Sequence, residues 1–433
     1  MTSAPSGTGL VAAARVVTAS AVHEPGWVAF ERGRVTGVGG GRPPVPADCD
    51  LGDAVLVPGF VDVHVHGGGG AGYTDGSAEL ARRARAAHLA HGTTTSLASL
   101  VTDTPARLLE GVRMLAGLVA AGELRGIHLE GPWLSPERAG AHDPALLREP
   151  DPAEIDALLR AGSLAGQLAD PHADQGAGRA AKPRPEAVAG GGSGSAPHNA
   201  IAMVTIAPEL PGAMDAIERF VRAGVVVAIG HTDADYDCVL RAIDAGATVA
   251  THLFNAMRPL HHREPGSVLA LLEDPRVAVE LIADGTHLHT ALARWAAAHG
   301  GTGRAMLVTD AMGAAACGDG AYRLGALDVE VSGGVARVAG IGTIAGSTAT
   351  MDGLFRDWVE GAAAGRHDAL REAVRLTAAN PARAMGWGDV GDLAVGRRMD
   401  AVVLDPDLRV TGVIRGGRTP DISRCRDIPA ALG

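Results

Sequence analysis

Aromatic residues make up only 3% of the 433 positions, and no basic stripe offsets a net charge of −11. Without rings to stack bases or clustered cations to meet a phosphate backbone, nucleic-acid binding has no support. Cysteine is equally sparse. Cys49, Cys238, Cys317 and Cys425 lie far apart with no C-x-x-C pair, which indicates neither a disulfide framework nor a thiolate zinc site and fits a reducing cytoplasm. No stretch of about 18 uncharged apolar residues occurs, so a membrane span is not expected. The start, MTSAPSGTGLVAAARVV, lacks a positive charge followed by a long apolar segment, and no export is expected either. Lysine occurs once, at Lys182.

What is present is a globular chain. It is 46% hydrophobic and long enough for one large domain and a smaller one. The 60 glycines and 25 prolines are spread among recurrent apolar runs and read as turn residues. Between Val57 and Asp310, short runs rich in Val, Ile and Thr alternate with longer Ala/Leu/Arg segments of helical composition. The runs are Phe60 to His66, Thr93 to Ser99, Leu124 to Glu130, Ile201 to Pro208, Val225 to His231, Thr248 to Phe254, Val277 to Asp284 and Ala305 to Asp310. Eight strands, each followed by a helix, predict an α/β fold of the (β/α)8 TIM-barrel type. Residues 9–57 and 391–419 have hairpin character instead, and the two chain ends are expected to pair into a small β-sandwich domain. The expected division is 1–57, 58–388 and 389–433. Tyr322 to Ala345 reads as a hairpin excursion after the eighth strand, and Met351 to Met385 as helical cover. The segment 169–196, crowded with Gly, Ala, Pro and Ser, reads as a disordered surface insertion.

Barrel enzymes carry their functional groups at the C-terminal ends of the strands. Six of the eight runs deliver a His, Asp or Glu there: His64 and His66, His128 and Glu130, His231, His252, Asp284 with His287, and Asp310. Imidazole and carboxylate are the ligands of divalent metals at catalytic sites that leave a position open for water. His64 and His66 stand two apart on a strand, which turns both side chains to one face. His128 and Glu130 share that spacing, and Glu130 is the better ligand because it ends the strand beside the turn at Gly131-Pro132.

These segments resemble the amidohydrolase superfamily and, within it, the N-acetylglucosamine-6-phosphate deacetylases. The likeness rests on PGFVDVHVHGGGG, GIHLEGPWLSPERAGAH, AIGHTDA, THLFNAMRPLHHREPG, ADGTHLH, LVTDAM, IAGS and GDLAVGRRMDAVVLD, in the family's order along nearly the whole chain. The resemblance implies that Glu130, His231 and His252 hold a principal divalent metal, that His64 and His66 permit a second, and that Asp310 is the catalytic acid and base. Zinc is the metal expected, with iron, manganese or cobalt as alternatives. It also implies substrate contacts from Ala141, His142, Asn255, Ala256, Arg263, His287, Ile344, Ala345 and Gly346. Arg263 offers a planar fork to a phosphate, and His142 and His287 meet the sugar and its acetamido group. The partner so implied is an amino-sugar phosphate, and the assembly a homodimer.

The activity implied is hydrolysis of an acetamide to acetate and a free amino-sugar phosphate. Asp310 takes a proton from the attacking water and returns it to the departing amine. N-acetylgalactosamine 6-phosphate is the alternative substrate. Cyclic-amide hydrolases of the superfamily use a carboxylated lysine on a mid-barrel strand, and Lys182 stands nowhere near one. A nucleobase deaminase would leave Asn255 and Arg263 without a role, and a non-catalytic scaffold would not keep the whole set of ligands.

Overall fold

The computed structural model describes residues 7–164 and 198–418. The insertion expected at 169–196, Lys182 included, lies outside them.

Eight parallel strands form the centre: β1 (Phe60–Asp62), β2 (Thr93–Leu100), β3 (Gly126–Glu130), β4 (Ile201–Ile206), β5 (Val226–Ile229), β6 (Val249–Ala250), β7 (Ala278–Leu281) and β8 (Ala305–Leu307), each hydrogen-bonded to the next in sequence. A parallel bridge between Val65 and Ala311, with the Asp310 N–H donating to the His64 carbonyl at 2.9 Å, joins the first strand to the last and closes the barrel. Every residue of β2 is buried, as a parallel strand between a ring of helices and a filled interior requires.

Helices follow the strands with readable start signals. Thr104 precedes Pro105 at the N-terminus of Pro105–Ala120, and the Asp235 carboxylate accepts the Cys238 N–H at the start of Tyr236–Asp244. The helix Ala213–Arg222 buries Ala213, Ala216, Ile217 and Phe220, one face at helical spacing. Phe220 meets the fully buried Trp133 with ring centroids 5.4 Å apart.

The barrel interior is layered because side chains alternate along each strand. Leu97, Met203, Val249 and Met306 join one buried apolar cluster, the floor of the barrel. Two residues further along β2 and β4, and just past β6, come the hydroxyls of Ser99, Thr205 and Thr251, all fully buried. The titratable groups stand above them.

The chain ends build two facing sheets. One has four strands, in the order Arg34–Gly40, Gly26–Glu31, Gly9–Ala13, Cys49–Asp50. The other has five, and in it the C-terminal strands Val410–Ile414 and Ala401–Leu404 pair onto Val55–Pro58. Val28, Val35, Leu56, Leu393 and Ala401 fill the space between, so the expected sandwich is present. Cys49 is in a disulfide, a bond that the wide cysteine spacing does not signal, while Cys238 and Cys317 are free thiols. A three-stranded antiparallel sheet (Gly320–Leu324, Leu327–Ser332, Val335–Val338) follows β8, and the helices Met351–Glu360, Arg366–Val374 and Asn380–Ala384 come after it. Among the described residues no helix is long and apolar enough to cross a membrane.

Candidate metal centre and active-site cavity

Glu130, the last residue of β3, is the hub of the rim. Its Oε1 lies 3.0 Å from His252 Nε2, 3.2 Å from His231 Nε2 and 3.4 Å from His64 Nε2. Its Oε2 lies 3.1 Å from His66 Nε2 and 3.5 Å from His142 Nε2. Asp310 Oδ1 completes the group, 3.1 Å from His66 Nε2 and 3.4 Å from His64 Nε2. Six of the nine residues singled out at strand ends, His64, His66, Glu130, His231, His252 and Asp310, are thus brought together, each nine-tenths or more buried.

Backbone geometry aims several of them. His231, His252 and Asp310 all have positive φ (46°, 26° and 47°), a conformation costly for residues with a Cβ and typical of functional sites held by their surroundings. The turn after Glu130 needs its glycine: Gly131 has φ 84°, and a Cβ there would stand 2.4 Å from Thr102 Oγ1. The outer partners fix the rings. His231 Nδ1–H donates to the Arg138 carbonyl at 2.9 Å, and His64 Nδ1–H to Glu280 Oε2 at 3.0 Å, which turns both Nε2 atoms toward the hub. Glu280 Oε2 also accepts the His252 backbone N–H at 3.1 Å.

His128 behaves otherwise. It lies one layer below Glu130 and spends both ring nitrogens on hydroxyls, 3.0 Å from Ser99 Oγ and 2.8 Å from Thr205 Oγ1. Burial and the neighbouring His64 charge keep it neutral, far below the usual imidazole range.

The electrostatics fit a cation. Burial alone would raise the Glu130 carboxyl, yet the His64 charge and hydrogen bonds from His142, His231 and His252 hold it well below the carboxylate range. Asp310 is lowered against the same opposition by His64 and His66. Burial opposes charge on His66, but Asp310 and Glu130 raise it to about 9, and His64 rises likewise. Carboxylates that draw protons onto buried imidazoles are a site that calls for positive charge, and a divalent ion supplies it without those protons. Two overlapping groups have ligand atoms within 4.8 Å of one another: His64, His66, Glu130 and Asp310, and Glu130, His142 and His231. Glu130 belongs to both, so one or two ions fit this donor set.

Above the cluster opens a cavity of about 470 Å³. Ala141, His142, Asn255, Ala256 and His287 form part of its wall, and Ile344 and Gly346 close another side. His142 is held neutral by burial, its pKa lowered to about 4. His287 hydrogen-bonds Asp284 Oδ2 through Nδ1 at 2.8 Å, and this contact raises its pKa in spite of burial. Gly346 has φ 63° and passes so close that a Cβ would stand 2.8 Å from the Asp310 carbonyl. Two expected contacts lie elsewhere. Ala345 is fully buried in the apolar cluster under the three-stranded sheet. Arg263 is exposed, outside this chain's cavity wall, with its guanidinium 2.8 Å from His262 Nε2.

Sequence reasoning missed Glu137, Arg138, Leu324 and Thr343, which also line the cavity. Arg138 had a signal: it lies between two singled-out residues, Glu130 and His142, and its carbonyl orients His231. Leu324 and Thr343 had none, since only tertiary folding brings the hairpin over the rim.

Ligands converging from the C-terminal ends of a (β/α)8 barrel define a class, and the chain belongs to the amidohydrolase family, whose model matches residues 55–419. Within that family its similarity is to deacetylases of amino-sugar phosphates. It is 49% identical to the N-acetyl-D-glucosamine-6-phosphate deacetylase of Mycobacterium smegmatis, solved with N-acetyl-D-glucosamine 6-phosphate, with a TM-score of 0.85 covering 95% of this chain and 99% of that one. It is 31% identical to the N-acetylglucosamine-6-phosphate deacetylase of Bacillus subtilis over 95% of this chain and 97% of the relative. It is 33% identical to the N-acetylgalactosamine-6-phosphate deacetylase of Escherichia coli O157:H7 over 89% and 94%.

Proposed function

We propose that the protein hydrolyses the acetamide of N-acetyl-D-glucosamine 6-phosphate to D-glucosamine 6-phosphate and acetate. The observation that carries this reading is the Glu130-centred cluster at the floor of the cavity, with Asp310 in both the cluster and the cavity wall. His64, His66, Glu130, His231 and His252 would hold one or two divalent ions, with zinc our reading of the metal. Such a cation would supply Lewis acidity toward the acetamide carbonyl and lower the pKa of water toward neutrality.

Asp310 performs the proton transfers. Its carboxylate, kept ionised by its imidazole neighbours, accepts the water's proton and then gives it to the departing amine. His142, neutral at working pH, offers a hydrogen bond to the acetamide oxygen. Asn255, Ala256 and His287 hold the sugar and its phosphate, and the loop Ile344 to Gly346 closes the far side. Arg263, exposed on the same loop as Asn255, reaches the phosphate in a neighbouring subunit's cavity if the chain works as a homodimer. We assign the work to the cytoplasm, and the division into barrel (58–388) and sandwich (1–57 with 389–433) is likewise our reading. No described residue of the sandwich lines the cavity.

Acetate release by the metal-loaded protein tests the reading. Turnover is expected on N-acetyl-D-glucosamine 6-phosphate, with kcat/KM lower for the galactosamine epimer and negligible for the unphosphorylated sugar. Asp310→Asn should lower kcat by about 10² to 10⁴. Absence of turnover despite bound metal would sink the proposal, and preference for the galactosamine epimer would replace the substrate.

A further inference from the structure

The chain passes Asp310 in a conformation that it does not adopt freely, with φ 47° and no glycine to relieve the Cβ contact. Such an angle persists only where the surroundings hold the peptide groups on both sides. Four hydrogen bonds do so. In the Thr309–Asp310 peptide, the Asp310 N–H donates to the His64 carbonyl at 2.9 Å, and the Thr309 carbonyl accepts the Ser347 hydroxyl at 2.5 Å. In the Asp310–Ala311 peptide, the Asp310 carbonyl accepts the Ser347 N–H at 2.8 Å, and the Ala311 N–H donates to Thr309 Oγ1 at 3.2 Å. Two rigid planes, each held at both ends, fix φ and ψ of the residue between them.

The holding groups come from two sides. On one side is β1: Asp62, its last residue, accepts the Thr309 hydroxyl through Oδ2 at 2.6 Å and the Thr309 N–H through Oδ1 at 3.3 Å. On the other is Ser347, which supplies two of the four bonds. It belongs to the segment that returns from the three-stranded sheet, and a parallel bridge pairs it with Ala311, which bridges Val65 as well. The Met312 N–H donates back to the Ser347 carbonyl at 2.9 Å. Ser347 is 2% exposed, and Thr309 and Asp62 are fully buried, so bulk solvent does not stand in for the hydroxyl. Ser347 itself is not part of the cavity wall, but Thr343, Ile344 and Gly346, just before it, are.

We propose that Ser347 is a positioning residue for Asp310: its hydroxyl and backbone N–H hold the two peptide groups that flank Asp310, so the segment that walls the cavity also aims the carboxylate. The proposal rests on the acid and base role assigned to Asp310 above. Ser347 touches no reacting atom and acts only through Asp310.

A double-mutant cycle on the full-length, metal-loaded protein tests this. Ser347→Ala removes the hydroxyl and keeps the N–H. It is expected to lower kcat for N-acetyl-D-glucosamine 6-phosphate by about 10- to 100-fold, with KM within about twofold of the parent. In an Asp310→Asn background the same substitution should change kcat by less than about twofold, because the group that it aims is already lost. A mere loss of folded protein would lower kcat equally in both backgrounds. Hydrogen exchange reads the same contact without turnover: the amides of Asp310, Ala311 and Met312 should exchange about fivefold faster or more in Ser347→Ala. Thr309→Val, which removes the donor to Asp62 and the acceptor of the Ala311 N–H, should repeat both results from the other side. A parent without turnover would fell the deacetylase reading and leave exchange to decide for Ser347. Unaltered exchange at these amides, or an equal fall in kcat in both backgrounds, overturns the proposal.

Discussion

Glu280 is a single buried carboxylate with two tasks. One oxygen accepts from His64 Nδ1 and from the His252 backbone N–H, so it orients two of the residues grouped around Glu130. Its side chain is fully buried, and its role was invisible in the sequence, where AVELIAD reads as an ordinary apolar strand. Glu280→Gln keeps the shape and removes the charge that supports His64. Metal affinity is expected to fall about 10- to 100-fold, measured as ions retained on titration with a chelator. Unchanged retention would reduce Glu280 to a filler of the barrel. The strand-end residues themselves were legible because period-2 spacing puts His64 with His66, and His128 with Glu130, on common faces. What spacing could not decide was depth. His128 faces the same way as Glu130 yet sits one layer lower, where Ser99 and Thr205 claim it.

At the scale of elements, the alternation of β-rich runs and helical segments located all eight strands. The reason is that each parallel strand, buried on both faces, must be a short apolar run bounded by turns. Closure was not legible, because the Val65–Ala311 bridge depends on strand tilt accumulated around the ring. Contacts between helices were equally hidden. His91, at the C-terminal cap of Ala78–Ala90, places Nδ1 3.0 Å from Asp352 Oδ1 in the first turn of Met351–Glu360. The hydrogen bond to Asp352 raises His91's pKa over the opposition of burial, and the Asp352 carboxyl is lowered against burial by His91. A raised imidazole stabilises fully below its unfolded pKa and stops doing so as pH rises through its folded one. The lowered carboxylate stabilises above its unfolded pKa and ceases as pH falls through its folded one. Their joint window is therefore mildly acidic. His91→Asn should lower Tm more at pH 5.5 than at pH 9, and an equal loss at both would remove the charge from the explanation.

For the whole molecule, the buried cluster makes stability depend on the ion. A ligand that binds the folded state and not the unfolded one stabilises it by about 4 kcal/mol at a thousandfold excess over Kd. Without the ion, Glu130 and Asp310 keep buried negative charge that only protonated imidazoles offset. Exhaustive chelation should therefore lower Tm by several degrees, with recovery on adding back zinc. Melting curves that coincide with and without metal would show that the cluster is stable empty.

The sequence by itself determined the barrel, the sandwich at the chain ends and the set of side chains at the rim, because periodicity and strand-end chemistry are local properties of the chain. Tertiary structure alone decided which of those side chains meet. It turned His231, His252 and Asp310 inward through left-handed backbone that no glycine announces. It carried Leu324 and Thr343 of the hairpin to the cavity wall and left Arg263 outside it. It also brought Arg85 beside Arg398 and Arg415, more than 300 residues further along the chain, at one cavity at the barrel base. Convergence of that kind depends on how the ring of strands closes and what the sandwich packs against, and no local pattern encodes either.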